Sequence, residues 1–395
     1  MYELEHIIRY LRNFDINEET VKKCYAMMNK RSMFLLAFLV LSGCAHIKPV
    51  ELKKSSYDIE KCNKTSYTPA DLQSYETLIK QGELQGYNCE GIYYVREKNY
   101  EKAKEYFQKG ADKGSIESYA QLGSLYSHFL QQPEKSFSYY ETAANAGHVK
   151  AAHNLGVEYD RKLDYKNALK WYQKAADKGN VYSLLAVGQI YRKEGKYEKA
   201  VQTFEKIGEL GNSRGYFNLG VLYYKEKEFY DINKSNTYFL KCYKMGDGGC
   251  AAALGTYYEE DKKDYKKAIE WYKKGFELGS KDSVTRLGLL YVDILKDYKK
   301  GIYWYTQGYE KLNNLDCAFS IALTYQDLKE DDNAVSWFLK AHKGGYKDAA
   351  YGLGYLYQYD LKDKEKAIEW YKKSLNIGSQ YDAAAQRKLK ELGVK

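Results

Sequence analysis

The sequence predicts an all-α solenoid of about nine helix-turn-helix repeats with helical caps, and three observations carry that prediction. A small residue recurs at Gly91, Gly123, Gly156, Gly188, Gly220, Gly255 and Gly288, then Ala322 and Gly354, at steps of 32 to 35 residues. A tyrosine follows each by three: Tyr94, Tyr126, Tyr159, Tyr191, Tyr223, Tyr258, Tyr291, Tyr325 and Tyr357. A second segment of each unit carries two adjacent large side chains, as in Tyr106-Phe107, Tyr139-Tyr140, Trp171-Tyr172, Trp271-Tyr272 and Trp370-Tyr371, and only Thr203-Phe204 breaks the column. A period near 33 with two helices per unit means a stacked-hairpin architecture, in which each hairpin buries itself only against its neighbours. Such an array escapes the size limit that 395 residues would place on a single core. Three prolines, Pro49, Pro69 and Pro133, fit an almost wholly helical chain.

The unit from Ala151 to Gly179 shows the logic. Ala152, Leu155, Gly156 and Tyr159 fall on one helical face, and Ala168, Trp171, Tyr172, Ala175 and Ala176 on another. Gly156 sits mid-helix, where glycine costs about 1 kcal/mol against alanine. Close approach of an aromatic ring to the backbone is the expected return. Gly179 stands just past the second helix, where a left-handed cap favours glycine.

Residues 1–26 match no repeat column and read as an upstream extension, with translation expected to start at Met27 or Met28. Residues 27–44 read as a signal peptide: Lys30 and Arg31 precede an apolar run, Met33–Leu41, too short to span a bilayer. Leu41-Ser42-Gly43-Cys44 resembles a bacterial lipobox, which implies lipidation at Cys44. Ala45 rather than aspartate after it is compatible, by the same resemblance, with sorting to an outer membrane. Residues 45–68 read as a tether without a helical stripe. The solenoid occupies residues 69–395, opening with an N-cap at Thr68, Pro69 in the first turn and a capping helix to about Gln81. Asp382–Leu392 resembles one more first helix with a polar face, as a terminal cap requires.

The columns L-G-x-x-Y and A-x-x-W-Y-x-K-A-A-x-x-G resemble tetratricopeptide-type repeats, specifically their Sel-one-like branch, over about residues 86–378. The resemblance implies a right-handed α-solenoid. One departure is the short link between helices, such as Arg161–Asp164, where that branch usually carries a longer glycine-rich loop. Cys242 and Cys250, around a glycine turn, look like the per-repeat disulfide of the helicobacter cysteine-rich proteins, a secreted Sel-one-like group. Cys62 and Cys89 are a second candidate pair, either bridged and pinning the tether or both free. Cys317 falls in the column of Cys250 with Tyr309 at the partner position, which makes it a buried free thiol. Disulfides and a lipobox both fit an envelope compartment.

The family's groove is lined by first helices, at positions three before, two before, one after and four after the column glycine. Those positions include His153, Asn154, Arg192, Asn218, Tyr224, Glu259, Arg286, Gln326, Tyr351, Tyr355 and Gln358. No lysine stands three before any column residue, which disfavours the carboxylate clamp of chaperone-binding tetratricopeptide domains. Aromatic and arginine side chains on such a wall suit protein recognition.

Catalytic constellations are weak. Gly211-Asn-Ser213-Arg-Gly215 has the spacing of a hydrolase nucleophile elbow, but that motif needs a preceding strand. His148 and His153 are five apart and do not share a helix face. No metal site and no cofactor are expected. The formal charge of +9 comes from lysines interleaved with acids along the second helices, which reads as a solvated face rather than a nucleic-acid surface. The function expected is a non-catalytic interaction scaffold, lipid-anchored in the bacterial cell envelope, facing the periplasm from the outer membrane and holding another protein in its groove. The alternative is a periplasmic immunity protein against a secreted phospholipase-type toxin. A cell-wall or β-lactam hydrolase is a remote third.

Overall fold

The structure is a computed structural model that describes residues 62, 66–375 and 377–394. The proposed upstream extension, signal segment, Cys44 and nearly all of the tether lie outside the described residues. Within them the chain forms twenty helices, joined by turns, and no strand. It is an all-helical repeat solenoid of nine hairpins, each a first helix A and a second helix B, with a cap at either end.

The chain divides into two compact units, Met1–Glu158 and Tyr159–Lys395. In the first, α1 (Pro69–Lys80) precedes the hairpins α2 (Leu84–Arg96) with α3 (Tyr100–Asp112) and α4 (Ile116–His128) with α5 (Pro133–Asn145); α6 (Val149–Arg161) follows. Helix α1 begins as its sequence predicts. Thr68 Oγ1 accepts from the Asp71 N–H, the Asp71 carboxylate accepts from the Thr68 N–H, and Pro69 fills the first helical position. Beneath α1, Tyr75 packs with the bonded pair Cys62–Cys89, so the end of the tether is stapled to the first A helix.

The second unit holds α7 (Tyr165–Ala176), then α8 (Val181–Lys193) with α9 (Tyr197–Glu209) and α10 (Ser213–Lys225) with α11 (Ile232–Lys244). Helix α12 (Gly248–Thr256) pairs with α13 (Tyr265–Glu277), and α14 (Lys281–Leu289) with α15 (Tyr298–Leu312). The last hairpins are α16 (Leu315–Asp327) with α17 (Asp331–Lys343) and α18 (Ala349–Tyr359) with α19 (Lys364–Lys373), capped by α20 (Asp382–Glu391). Helices α12 and α14 each end in a π-helical turn, Tyr257–Asp261 and Leu290–Ile294.

The glycine column has the packing role the sequence predicts. A Cβ on Gly91, Gly123, Gly188, Gly220, Gly255, Gly288 or Gly354 would lie 2.6 Å or less from a ring carbon of the B helix of the same hairpin. The ring is always the second of the aromatic pair: Phe107, Tyr140, Phe204, Phe239, Tyr272, Tyr305 or Tyr371. The first of the pair does something else. Where it is tyrosine it stacks on the column tyrosine, as in Tyr94–Tyr106, Tyr126–Tyr139 and Tyr223–Tyr238. Four of the five tryptophans instead meet a ring of the preceding B helix edge-on, in Trp271–Tyr243, Trp304–Phe276, Trp337–Tyr309 and Trp370–His342.

These tryptophans are less enclosed than a core column would be. Trp171 is buried, whereas the other four are half-buried and shielded by lysines. Lys274, Lys340 and Lys373 lie 4.2, 3.8 and 4.0 Å over Trp271, Trp337 and Trp370, one helical turn on. The outer-face lysines therefore cover aromatic surface with their stems while their ammoniums stay in water.

Cys242 is bonded to Cys250 across the α11–α12 turn, with Cα atoms 5.9 Å apart. The partner position of Cys317 is Gly308, not Tyr309: a Cβ on Gly308 would lie 2.6 Å from the Cys317 sulfur. Helix α15 is two residues longer than its equivalents and ends on left-handed Asn313, which shifts the alignment by one. Cys317 is a buried free thiol beside Thr285, and burial pushes its pKa up to about 11.

Candidate functional site

The A helices turn their column glycine inward, so the positions flanking it are the ones left to face outward or toward the next A helix. On α6, the Asn154 amide donates to the Tyr140 hydroxyl at 3.2 Å, and burial lowers the pKa of His153. In the second unit Arg192 Nε stands 3.8 Å from Glu226 of the next repeat. The Asn218 carbonyl accepts from Gln189 at 2.5 Å while its amide donates to the Arg214 carbonyl at 2.8 Å. The Tyr224 hydroxyl donates to Asp261 at 3.0 Å, and burial with that carboxylate pushes the phenol up to about 12.

Glu259 accepts from the Tyr272 hydroxyl at 2.5 Å, inside one hairpin. Arg286 is shared by Asp282 at 3.3 Å and Glu260 at 3.7 Å. Gln326 donates to Asp360 at 2.6 Å, where Lys329 also binds at 2.9 Å, and Gln358 accepts from Tyr371 at 2.8 Å. Most of the polar positions predicted to wait for a partner thus already have one. They tie A helix to A helix, or A to B, along the array.

The aromatic positions are different. Tyr351 stacks on Tyr381 with centroids 4.6 Å apart. Tyr355, 41% exposed, lies 4.5 Å from the ring of Tyr359, which is 37% exposed. The Lys388 ammonium of α20 bonds the Tyr359 hydroxyl at 2.7 Å. Leu289 and Leu323 hold the same place on α14 and α16 that Tyr355 holds on α18, and each is 41% exposed. The last three A helices therefore carry Leu289, Leu323 and Tyr355 in one column, rimmed by Arg286, Gln326 and Lys388. The earlier members of that column, Ile92, Ser124, Val157, Gln189, Val221 and Thr256, are all half-buried, so exposure sets in with the last three. Sequence reasoning missed both leucines and Tyr359: Ile92 and Val221 of the same column pack against buried clusters, so an apolar residue directly after the column glycine does not by itself mark an exposed site.

Ser213 of the apparent nucleophile elbow opens α10 after a left-handed Gly211, and its hydroxyl donates to Asp247 at 2.8 Å. Cys242, Asp247 and Cys250 come within ligand distance of one another, but the disulfide leaves neither sulfur as a thiolate for a metal.

Comparison with known proteins agrees with this geometry. The Sel1 repeat matches residues 87–115, 116–148, 149–180, 213–247, 249–280, 285–311 and 347–379. A tetratricopeptide repeat matches residues 183–212. No curated protein matches the chain. Among solved structures, yeast Tom70 is similar at 17% identity over 97% of this chain and 78% of its own, with a TM-score of 0.50. A protective antigen present in uropathogenic Escherichia coli strains, displaying an SLR fold, is 24% identical over 96% of this chain and 84% of its own, with a TM-score of 0.46. An immunity protein from Pseudomonas aeruginosa is 21% identical over 49% of this chain and 81% of its own, with a TM-score of 0.33. These likenesses concern the fold.

Proposed function

The chain belongs to the Sel1 repeat family, whose repeats bind other proteins, and on that premise we propose that it is a non-catalytic scaffold holding a partner protein against the A helices of its C-terminal repeats. One observation carries the reading: Leu289, Leu323 and Tyr355 remain exposed in a single column while the polar positions around them are consumed by contacts between repeats. Large apolar side chains surrounded by already-satisfied polar groups form an anchor site that loses little solvation when covered. The partner segment would present apolar side chains at the spacing of successive repeats. Tethering by a lipid on Cys44, on the periplasmic face of a bacterial outer membrane, is part of the same proposal and rests on the Leu41–Cys44 motif.

The test is crosslinked co-purification of the full chain beside two variants, Tyr355→Ala with Tyr359→Ala, and Cys44→Ser. A discrete partner should enrich with the parent chain and fall about tenfold or more with the tyrosine variant, as removal of a central anchor does. Partner recovery unchanged by the tyrosine variant would sink this site. A secreted phospholipase-type toxin as the enriched partner would make the protein a neutraliser rather than an assembly scaffold. Absence of labelled lipid on the parent chain, compared with Cys44→Ser, would remove the anchor from the proposal.

A further inference from the structure

The A-helix face changes its charge along the second unit. Residues six before, one after and five after the column position fall within about 40° of one another around a helix, so each A helix presents them together. On α8 and α10 the two outer places hold Tyr182 with Lys193 and Arg214 with Lys225, all exposed. On α14 and α16 they hold Asp282 with Asp293 and Asp316 with Asp327, again all exposed. Helix α12 already ends its face on exposed Glu260, and α18 begins its own on Asp348. Base thus gives way to acid where the middle place of the same face becomes exposed and apolar, at Leu289, Leu323 and Tyr355.

These acids are not spent on neighbouring bases. Arg286, on the face of α14, is shared by Asp282 and Glu260. Asp293, Asp316 and Asp327 have no ion pair among the described residues. The hydrogen bond that Asp316 takes from the Tyr346 hydroxyl comes from a neutral donor, as do those that Asp348 takes from Ser379 and Gln380. The lysines of the A–B turns do not reverse the sign. Over residues 248–264, 281–297, 315–330 and 347–363, thirteen acids stand against eight bases, and α20 returns three bases for two acids. The field over the apolar column is therefore negative.

We propose that the segment held on this face is a cationic amphipathic helix, with its apolar residues seated along Leu289, Leu323 and Tyr355 and its lysines or arginines reaching the acid rows on either side. The proposal rests on the A-helix face as the docking site argued above and names the chemistry of its occupant. Two dimensions favour a helix. Neighbouring A helices, tied by contacts such as Gln326–Asp360, lie about 8–10 Å apart, close to the ~10.5 Å between residues one heptad apart on a helix. The acid rows stand about 16 Å apart along α16, which leaves room for a helix about 10–12 Å across with its flanking cations extended. An apolar segment flanked by carboxylates would meet like charge on both sides, which costs affinity.

Synthetic peptides test this against the full chain carrying Cys44→Ser. One has leucine at heptad spacing and lysine on both flanks; the other has glutamate for every lysine. The lysine peptide should bind about tenfold or more tighter, with a steep salt dependence. Asp293→Asn with Asp316→Asn and Asp327→Asn should slow its association about tenfold and flatten that salt dependence, with dissociation little changed. Tyr355→Ala with Tyr359→Ala should instead speed dissociation. A control triple on the B helices, Glu270→Gln with Glu310→Gln and Glu369→Gln, makes the same change in net charge and should bind as the Cys44→Ser chain does. Far-ultraviolet circular dichroism verifies the fold of each variant. Equal loss in the two triples, or no binding of the lysine peptide, overturns the proposal, while the co-purification above still decides whether a partner uses the face. Equal binding of the two peptides also overturns it; if the tyrosine variant then loses both, the apolar site stands and only its charge selectivity falls. Dimerisation in analytical ultracentrifugation that the aspartate triple abolishes overturns it too, with the Lys193, Arg214 and Lys225 face of a second copy as the occupant.

Discussion

Glu90 sits buried in α2 beside the Cys62–Cys89 bridge, and its burial, reinforced by the Glu76 carboxylate, pushes its pKa up to about 7. The folded state therefore holds a proton that the unfolded chain, with a carboxyl near 4.5, gives up. Below pH 4.5 both states are protonated and burial costs nothing; the penalty grows as pH rises and is complete above about 7. Glu90→Gln should accordingly leave stability unchanged at pH 4 and raise it by about 1–3 kcal/mol at pH 8. Urea denaturation at the two pH values checks this, and a gain of the same size at both would show that the carboxyl is not the cause. The repeat register does mark the position of Glu90 as buried, since other repeats fill it with residues such as Leu122 and Leu219; the proximity of the Glu76 carboxylate, in the preceding cap helix, was not legible there. The Cys317 partner position was obscure for a related reason: the two extra residues of α15 move Gly308 into a column that constant spacing assigns to Tyr309.

At the scale of the helix, Ala322 is the one departure in the glycine column, and the structure shows what accommodates it. Its extra methyl stands where Phe338 would otherwise press on a bare backbone. Phe338 leans instead on the next A helix, where a Cβ on Gly352 would lie 2.5 Å from its ring. Gly352 is the only glycine two places before a column residue in any repeat. The two departures therefore form a compensated pair. Gly352→Ala alone should destabilise by about 1–2 kcal/mol, the strain of overpacking less the gain in helix propensity. Adding Ala322→Gly should restore part of that loss by reopening the original seat for the ring. A double-mutant cycle in urea reads the coupling, and strict additivity would refute the compensation. The column itself was legible because its period is nearly constant. Its exception was legible only as a gap, since the second half of the pair lies 30 residues on.

For the whole molecule, a hairpin array concentrates every strong contact between near neighbours. Gly220→Ala and Gly354→Ala disturb different rings, Phe239 and Tyr371, with no shared partner. Each should cost about 1–2 kcal/mol, and the pair should add within about 0.5 kcal/mol. Guanidinium unfolding of the two singles and the double decides it. Fold class, repeat register and caps were readable because packing inside a hairpin repeats a residue pattern many times. The A-helix face was less readable. Whether Gln326 or Arg192 is free depends on Asp360 or Glu226 a full repeat away, and turn lengths vary enough to shift such partners in or out of reach. The tryptophan contacts described above have an optical consequence. All five tryptophans, Trp171, Trp271, Trp304, Trp337 and Trp370, lie in α7 and later B helices, so intrinsic indole fluorescence reports only the second compact unit and is blind to α1–α5. Circular dichroism sees every helix, and a separation between the two transitions on heating would time the loss of the disulfide-stapled first repeats against the rest.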